Sequence, residues 1–349
     1  MKEYTHVKCP GKVHFIGEHS VVYNEPAIIA AISMYAHVFA KKSDQVIVNL
    51  KNLGIVKAYP TEDVRSFTNF ANELWKNYKE KKDFKEMEEF FKKDNMSLPE
   101  VWIGKSLEQL NIDSGVDIIV NSEIPMGAGL GSSAALSVAI PVAISEAYGQ
   151  QLSRNKINEI AYELEKFNHG TPSGGDNSTC CYGGLIWFKR NPDPSIKPTI
   201  EQIRDEIPHK LENFVLIQTR SEGNRSTRRM VSKVKDLEPE YREPRIKALG
   251  NATYEMREAL KKGDFESIKE LMNLAHKNLA ELGVSTDEMD FVHKKVKESG
   301  GAIKLTGAGG PKSCMIGYHQ QKNKLTNLLK NLGYESWKVE LGVDGVKIE

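Results

Sequence analysis

The feature that most constrains the fold is a run of small and apolar residues, AALSVAIPVAISEA, at positions 134–147. Its one charged residue, Glu146, stands near the end of the run. A helix that is apolar on every side has to be buried on every side. We therefore predict a buried helix over residues 134–149, with Pro141 as the point where it could kink.

The segment before this helix, PMGAGLGSS at 125–133, is rich in glycine and poor in side chains. Its glycines are Gly127, Gly129 and Gly131. Glycine lets backbone N–H groups approach a partner closely, and Ser132 and Ser133 stand where the helix begins, as N-cap and first-turn hydroxyls. A helix start carries unpaired N–H donors and a partial charge of about +0.5, which suits a phosphate.

The chemistry of this loop alone leaves two interpretations open. No lysine follows the glycines as in the GxxxxGK[ST] phosphate loop. No acidic residue closes a strand about 20 residues later, as in a dinucleotide-binding fingerprint. The loop is therefore either a tight packing turn or an anion-binding site.

Composition excludes several classes of protein. The 349 residues carry a net charge of +1, whereas a dedicated nucleic-acid-binding protein has a strong basic excess. No apolar run approaches the roughly 18 residues of a membrane span, and the N-terminal residues MKEYTHVKCPGK lack the apolar core of a secretory signal. The four cysteines show neither metal-ligand spacing nor a disulfide framework. We expect reduced thiols and a cytoplasmic protein without nucleic-acid or membrane partners.

Strand-like and helical patterns are mixed along the chain without strict alternation, which favours an α+β fold. Residues 66–110 predict helices around a loop at 92–100, and residues 155–168 predict another helix. A second block starts near Asn213 with a predicted strand. Its predicted helices are 226–236, 240–261, 264–282 and 285–299.

Three segments occur in a fixed order along the chain: PGKVHFIGEHSVVYNEPAI at 10–28, the glycine loop at 125–133, and KLTGAGGPKSC at 304–314. With these segments the chain resembles, over nearly its whole length, the family of small-molecule kinases known as GHMP kinases. The resemblance implies a two-domain α+β fold with the active site between the domains. It places an ATP-binding domain similar to the second domain of ribosomal protein S5 at residues 1–190, and a ferredoxin-like domain at residues 191–349.

Two segments indicate the substrate class within the family. GEHSVVYNEPAIIAAI at 17–32 and HGTPSGGDNSTCCYGG at 169–184 are similar to those of members that phosphorylate mevalonate. The resemblance thus implies transfer of phosphate from ATP, with Mg²⁺, to the 5-hydroxyl of mevalonate. Two alternatives stay open: another alcohol or sugar kinase of the family, including one that acts on the 3-hydroxyl, and a catalytically silent ligand sensor. A homodimer is also left open.

The resemblance assigns the phosphates of ATP to two glycine loops. The residues are Pro125, Gly127, Ala128, Gly129, Leu130, Gly131, Ser132, Ser133 and Ala134 in one loop, and Gly307, Ala308 and Gly309 in the other. Mg²⁺ takes oxygen ligands, of which a protein usually supplies one or two. The implied ligands are Ser133 and Glu165, which precedes Asp176 by eleven positions as the metal-binding glutamate of the family does. Ser132 and Glu163 are the alternatives.

Asp176, within SGGDN, is the implied general base that takes the proton of the substrate hydroxyl. The residues of this segment alone favour an Asx-turn, and the resemblance reverses that preference. The resemblance also implies that Lys12 lies beside Asp176, keeps it ionised and stabilises the charge that develops on the reacting groups.

The same resemblance assigns a substrate pocket. Its residues are Lys12, Glu18, His19, Ser20, Asp176 and Thr227. His19 would donate a hydrogen bond to a hydroxyl or to the substrate carboxylate, Ser226 would face the same pocket, and Arg225 is a candidate partner for the carboxylate. The basic run around Arg225 is equally typical of a solvated helix start.

The third segment departs from the family, because Pro311 and Lys312 stand where glycines are usual. Proline removes a backbone donor. Either Gly307–Gly310 contact the phosphates along a re-routed loop, or Lys312 adds a phosphate contact.

Overall fold

The computed structural model describes residues 3–81, 83–91, 93–193, 196–223 and 226–349. The α-helices are α1 Thr61–Lys81, α2 Lys85–Phe91, α3 Ser97–Gln109, α4 Ser132–Ala147, α5 Arg154–His169, α6 Gly175–Tyr182, α7 Thr227–Lys235, α8 Pro239–Lys262, α9 Phe265–Glu281, α10 Asp287–Glu298 and α11 Lys322–Asn331. The strands are β1 Thr5–Ile16, β2 Pro26–Ser43, β3 Gln45–Leu50, β4 Ile55–Pro60, β5 Gly115–Ser122, β6 Leu185–Lys189, β7 Thr199–Gln202, β8 Leu211–Gln218, β9 Ala302–Thr306, β10 Cys314–Tyr318, β11 Ser336–Leu341 and β12 Lys347–Ile348.

The strands form one mixed sheet with the order β4-β3-β5-β2-β11-β8-β10-β9, and β1, β6, β7 and β12 pair outside this path. β3 and β5 run parallel. The long hairpin of β1 and β2 extends from Thr5 opposite Ala40 to Ile16 opposite Ile28. β2 also pairs with β11, and β12 pairs with β1, so the C-terminal strands return to the N-terminal part of the sheet. The predicted division at residues 190 and 191 stays a prediction.

β2 shows how the sequence positions the sheet. Its first seven residues are all buried, whereas its second half alternates between buried and partly exposed residues. An unbroken apolar run fits a strand covered on both faces, and alternation fits a strand covered on one face. The first half of β2 therefore lies in the centre of the molecule, where it pairs with the end of β1 that faces the site.

The predicted buried helix is confirmed as α4, which begins and ends two residues earlier than expected. Its residues from Ala134 to Ser145 are buried apart from Leu136, and it packs against β1, β2, α3, α5 and α6. Pro141 lies inside the continuous helix and does not end it. The N-terminus of α4 is thereby fixed against the central hairpin.

Other predicted elements are also confirmed. α7 to α10 begin and end within two residues of their predicted bounds. The helices predicted within residues 66–110 correspond to α1, α2 and α3, but the loop predicted at 92–100 is too long, because α3 begins at Ser97. α6 is the exception, because SGGDN, typical of a turn, leads directly into this helix. All four cysteines are buried and none forms a disulfide. Within the part of the chain that the structure describes, no helix combines the length and apolar character that a membrane crossing requires.

Candidate active site

A cleft of about 770 Å³ brings together residues from both ends of the chain. It is lined by β1, the glycine loop before α4, the facing sides of α5 and α6, the start of α7 and the loop after β9. Phe91 and residues between Asp94 and Trp102, including Leu98, add a further wall. Neither the residue patterns nor the resemblance predicted a role in the site for this helical segment.

The packing role that the sequence left open for the glycine loop is seen in the structure, and the anion-binding role stays a prediction. Gly131 has φ +77°, and a Cβ there would lie 2.6 Å from Cγ of Lys12, so this glycine allows β1 to pack against the loop. The backbone N–H of Lys12 donates to the carbonyl of Leu130 at 2.9 Å. Gly127 and Gly129 also have left-handed backbones and line the cleft.

The N-cap of α4 lies one residue earlier than predicted. Gly131, and not Ser132, is the N-cap, and no side chain caps the helix. Ser132 and Ser133 are its first two residues, and both line the cleft. An uncapped helix start presents backbone N–H donors and a partial positive charge, which is a favourable place for a phosphate group.

Lys12 and Asp176 form an ion pair in the cleft, which confirms their predicted adjacency. The Lys12 ammonium lies 2.9 Å from Oδ2 of Asp176, whose side chain is one-third exposed. Burial would raise the pKa of Asp176, but Lys12 and His14 outweigh it and hold that pKa well below its usual range. Asp176 lies in the first turn of α6, where the helix dipole also favours a carboxylate.

His14 is a site residue that the sequence analysis did not select. Its Nε2 lies 3.5 Å from Oδ1 of Asp176, and its ring lines the cleft. Residues two positions apart on a strand point to the same face, so His14 follows Lys12 on the face of β1 that meets α6. This alternation is the signal that could have found it.

Arg190 is a second residue that was missed. It follows β6 and lines the cleft. No hydrogen bond or ion pair of Arg190 is found within the described ranges of the chain. An arginine without an acidic neighbour in a substrate-sized cleft is suited to bind an anionic group.

Glu165 has the environment expected of a metal ligand. It is 2% exposed, and its buried Oε1 has no hydrogen-bond partner. Its Oε2 lies 3.5 Å from the Ser133 hydroxyl and 3.4 Å from Nε2 of His169. Burial opposes the charged form of His169, but the Glu165 carboxylate raises the pKa of this imidazole above its usual value.

The alternative ligand, Glu163, lies elsewhere. Its carboxylate pairs with Lys166 at 2.5 Å, and it lines a separate cleft with Trp75 and Lys105. No group of three or more acidic, histidine or cysteine side chains that could hold a metal occurs among the described residues. A buried carboxylate oxygen without a partner beside a serine hydroxyl nevertheless fits Mg²⁺, because Mg²⁺ takes most of its ligands from phosphates and water.

The substrate residues predicted from the first segment have different environments. Glu18 lines the cleft and forms a buried ion pair with Lys304 of β9. His19 also lines the cleft, but its Nε2 donates to the carbonyl of Ala308 at 2.9 Å. Burial lowers the pKa of His19, so the ring has no second N–H for the predicted donation to the substrate.

Ser20 is not brought to the cleft. It is fully buried, and its hydroxyl donates to the carbonyl of Gly17 at 3.2 Å. Thr227, the first residue of α7, lines the cleft, whereas the Ser226 side chain caps this helix by accepting from the N–H of Arg229. Arg225 lies outside the described residues.

The glycine loop after β9 contributes Gly307 and Ala308 to the cleft. Gly309 instead packs against the chain, since a Cβ there would lie 2.2 Å from the carbonyl oxygen of Val284. Lys312 is exposed and does not line the cleft. Of the two interpretations of this loop, the geometry favours contact through its glycine-rich part.

Three residues of the first loop have buried side chains that do not line the cleft. They are Ala128, Leu130 and Ala134. Only their backbone groups could reach a nucleotide, and their predicted contacts stay predictions.

Comparison with known proteins identifies the family. Residues 101–184 match the family model described as GHMP kinases N terminal domain, and residues 256–327 match the one described as GHMP kinases C terminal. The mevalonate kinase of Pyrococcus horikoshii is 30% identical over 364 residues, which cover 100% of this chain and 99% of that protein. The chain belongs to the GHMP kinase family. The mevalonate kinase of Methanocaldococcus jannaschii is 29% identical to this GHMP kinase over 95% of this chain and 97% of its own.

Solved structures agree with the two-domain α+β fold of the family. The crystal structure of Methanococcus jannaschii mevalonate kinase has a TM-score of 0.80 at 27% identity, over 97% of this chain and 98% of that one. The L. major mevalonate kinase in complex with R-mevalonate shares the fold, with a TM-score of 0.72 at 23% identity over 97% and 96% of the two chains. The family and fold implied by the three sequence segments are confirmed.

Proposed function

We propose that this GHMP kinase transfers the γ-phosphoryl group of ATP to the 5-hydroxyl of mevalonate. The observation that carries the proposal is the Lys12–Asp176 ion pair, which lies in the same cleft as the uncapped start of α4. Phosphoryl transfer requires mainly positioning and charge stabilisation. A base for the alcohol and donors for the phosphates, held in one cleft, meet both requirements. The full-length similarity to mevalonate kinases supports mevalonate as the alcohol.

The reaction follows from the placement of these groups. The hydroxyl oxygen of the substrate attacks the γ-phosphorus, its proton goes to the Asp176 carboxylate, and the bond to the bridging oxygen breaks so that ADP leaves. Lys12 and His14 hold the pKa of Asp176 well below its usual range, so this carboxylate is ionised and able to accept the proton of the alcohol. Lys12 neutralises the charge that develops between the two reactants.

We assign the phosphates of ATP to the backbone N–H groups from Gly129 to Ser133 and to the loop at Gly307 and Ala308. Ser133 and Glu165 are the residues that would hold Mg²⁺. When bound, the ion neutralises phosphate charge and orients the γ-phosphoryl group. The orphaned Oε1 of Glu165 is the atom that favours this assignment over Glu163.

Arg190 is our candidate for binding the substrate carboxylate. Of the basic residues in the cleft, Lys12 pairs with Asp176. Glu18 also lies in the cleft, but Lys304 pairs with its carboxylate. Burial lowers the pKa of Lys304, although the Glu18 carboxylate opposes this shift. Arg190 therefore provides a cationic group for an anionic substrate. A cationic group at this place favours mevalonate, which is an anion, over a neutral sugar.

An ATP-turnover screen tests the proposed function. The purified protein is assayed with mevalonate, phosphomevalonate, galactose and homoserine, and we expect turnover with mevalonate. Turnover with galactose and not with mevalonate would refute the substrate assignment. Binding of mevalonate without any ADP release would favour the ligand sensor instead. If Asp176→Asn turns over mevalonate at the wild-type rate, the assignment of the base is wrong.

The remaining expectations concern the protein's surroundings. A cytoplasmic location and a homodimer stay predictions of the sequence and of the resemblance, and neither is needed for the reaction. Sedimentation of the purified protein would determine the oligomeric state.

A further inference from the structure

His14 stands against the catalytic carboxylate but belongs to none of the roles assigned above. Lys12 holds Oδ2 of Asp176 at 2.9 Å, and His14 faces the other oxygen, Oδ1, at 3.5 Å. The two contacts come from one strand, β1, and approach the two oxygens of one carboxylate. Catalytic hydrogen bonds are often long without substrate and shorten in the productive complex.

The second nitrogen of the ring indicates where its proton lies. Nδ1 of His14 is buried and has no hydrogen-bond partner. A proton on this nitrogen would be a buried donor without an acceptor, which costs about 1–3 kcal/mol. We therefore assign the proton to Nε2, which directs it at Oδ1 of Asp176.

The backbone around His14 fixes the ring in this place. His14 pairs with Ile29 of β2, and a register shift separates it from Ile16. Its carbonyl accepts a hydrogen bond from the Thr306 hydroxyl of β9 at 2.8 Å. β1 is therefore anchored on both sides at the position from which the imidazole extends.

We propose that His14 is a positioning residue for the transfer reaction: its Nε2–H donates to Oδ1 of Asp176 and, with Lys12 on Oδ2, sets the plane of the carboxylate that receives the proton of the alcohol. Without His14 the carboxylate keeps one anchor and can rotate about its χ2 angle. The lone pair aimed at the substrate hydroxyl then occupies the productive orientation for only part of the time. Misplacement by about 1 Å can cost up to about 100-fold in rate.

The charged and titratable groups near His14 come from two elements and from the turn after β1. Asp176 belongs to α6, Lys12 to β1, and His19 follows β1 at the cleft. Of these, the structure places only the Asp176 carboxylate within ion-pair distance of the His14 ring. A loss of function on replacing His14 should therefore pass through Asp176.

Two amide variants test the proposal. In His14→Gln the amide nitrogen reaches about as far as Nε2 of histidine, whereas in His14→Asn it stops about one bond short. Both are polar and fit the volume of the ring. We expect kcat with mevalonate to fall about 10- to 100-fold in His14→Asn and to stay within about threefold of wild type in His14→Gln. The KM for ATP should not change in either variant.

A double-mutant cycle separates positioning from a merely structural role. If His14 acts through Asp176, His14→Asn should have no further effect on the residual single-turnover rate of Asp176→Asn. An equal loss in the Gln and Asn variants, a wild-type rate in both, or additive losses in the cycle would each overturn the proposal. The inference rests on the proposed function. If the wild-type protein does not phosphorylate mevalonate, the proposed function fails. If only the His14 variants behave as wild type, this inference fails alone.

Discussion

Gly131→Ala tests whether the glycine loop controls the position of Lys12. Gly131 has φ +77°, and an added Cβ would lie 2.6 Å from Cγ and 3.2 Å from Cε of Lys12. Contacts this short cannot persist, so either the lysine side chain or the loop must move. Movement of the lysine would weaken its 2.9 Å contact with Asp176. Movement of the loop would displace the start of α4.

Gly149→Ala is the matched control. Gly149 has φ +73°, almost the same backbone, but a Cβ there meets no atom within 4 Å. It follows the C-terminal end of α4 and does not line the cleft. A left-handed backbone costs an alanine about 1–2 kcal/mol, and the lower entropy of the unfolded chain offsets about 0.4–1 kcal/mol of this. Both variants share these contributions, so they cancel in the comparison.

The difference between the variants is the steric contribution alone. Inserting a methyl group into a packed site costs about 1–3 kcal/mol, so Gly131→Ala should lower the free energy of unfolding by about that much more than Gly149→Ala. A displaced Lys12 should also lower kcat by about 10- to 100-fold. Urea unfolding measures the first effect and a coupled ADP assay the second. If the two variants have equal stability and wild-type kcat, the argument that Gly131 is needed for the packing of Lys12 is wrong.

Three further predictions follow from single contacts. Glu165→Gln keeps the shape of the side chain but removes its charge, so the Mg²⁺ concentration for half-maximal activity should rise; an unchanged Mg²⁺ titration would exclude Glu165 as a ligand. Arg190→Leu should raise the KM for mevalonate about 10- to 100-fold, the value of a charged hydrogen bond, with the KM for ATP unchanged; an unaltered KM for mevalonate would place the carboxylate elsewhere. Burial, with help from His276, lowers the pKa of His293 to about 4. Between about pH 6.5 and 4, the unfolded chain therefore binds a proton at His293 that the folded chain does not bind. The free energy of unfolding should fall as the pH drops through this range. In His293→Asn the Tm should fall less over this range, and an identical pH dependence of Tm would contradict the assignment.

Long periodic elements of the fold could be predicted because each carries its own pattern. α4 is apolar on all sides, and α8 to α10 repeat apolar residues at helical spacing. α6 could not be predicted in this way, because its sequence begins with glycines and a residue typical of turns. The helix is stabilised by packing, with Asn177 and Ser178 buried against Asn158 of α5. Tertiary contacts of this kind override weak local preference.

The candidate site was predictable only in part, because its residues are distant in the sequence. The resemblance to the family selected Lys12, Asp176 and Glu165, and the structure brings all three to one cleft. The same resemblance also selected Ser20, which the structure buries beside Gly17. Membership of a motif does not tell which side of a turn a residue faces. His19, the residue before Ser20, has a positive φ of +60°. A positive φ at a non-glycine residue cannot be inferred from the amino-acid sequence.

His14 shows what strand geometry adds to a motif. The first segment matches the family through residues that its members share, and such a match gives no weight to a residue between them. The alternation of side chains along a strand does select such a residue, because it places positions 12 and 14 on one face of β1. Once Lys12 is assigned to Asp176, the next residue on that face must lie within about 7 Å along the strand, which is within reach of the same carboxylate. The two anchors of Asp176 therefore follow from one strand and one face, so a lysine and a histidine two residues apart in β1 act on a single carboxylate.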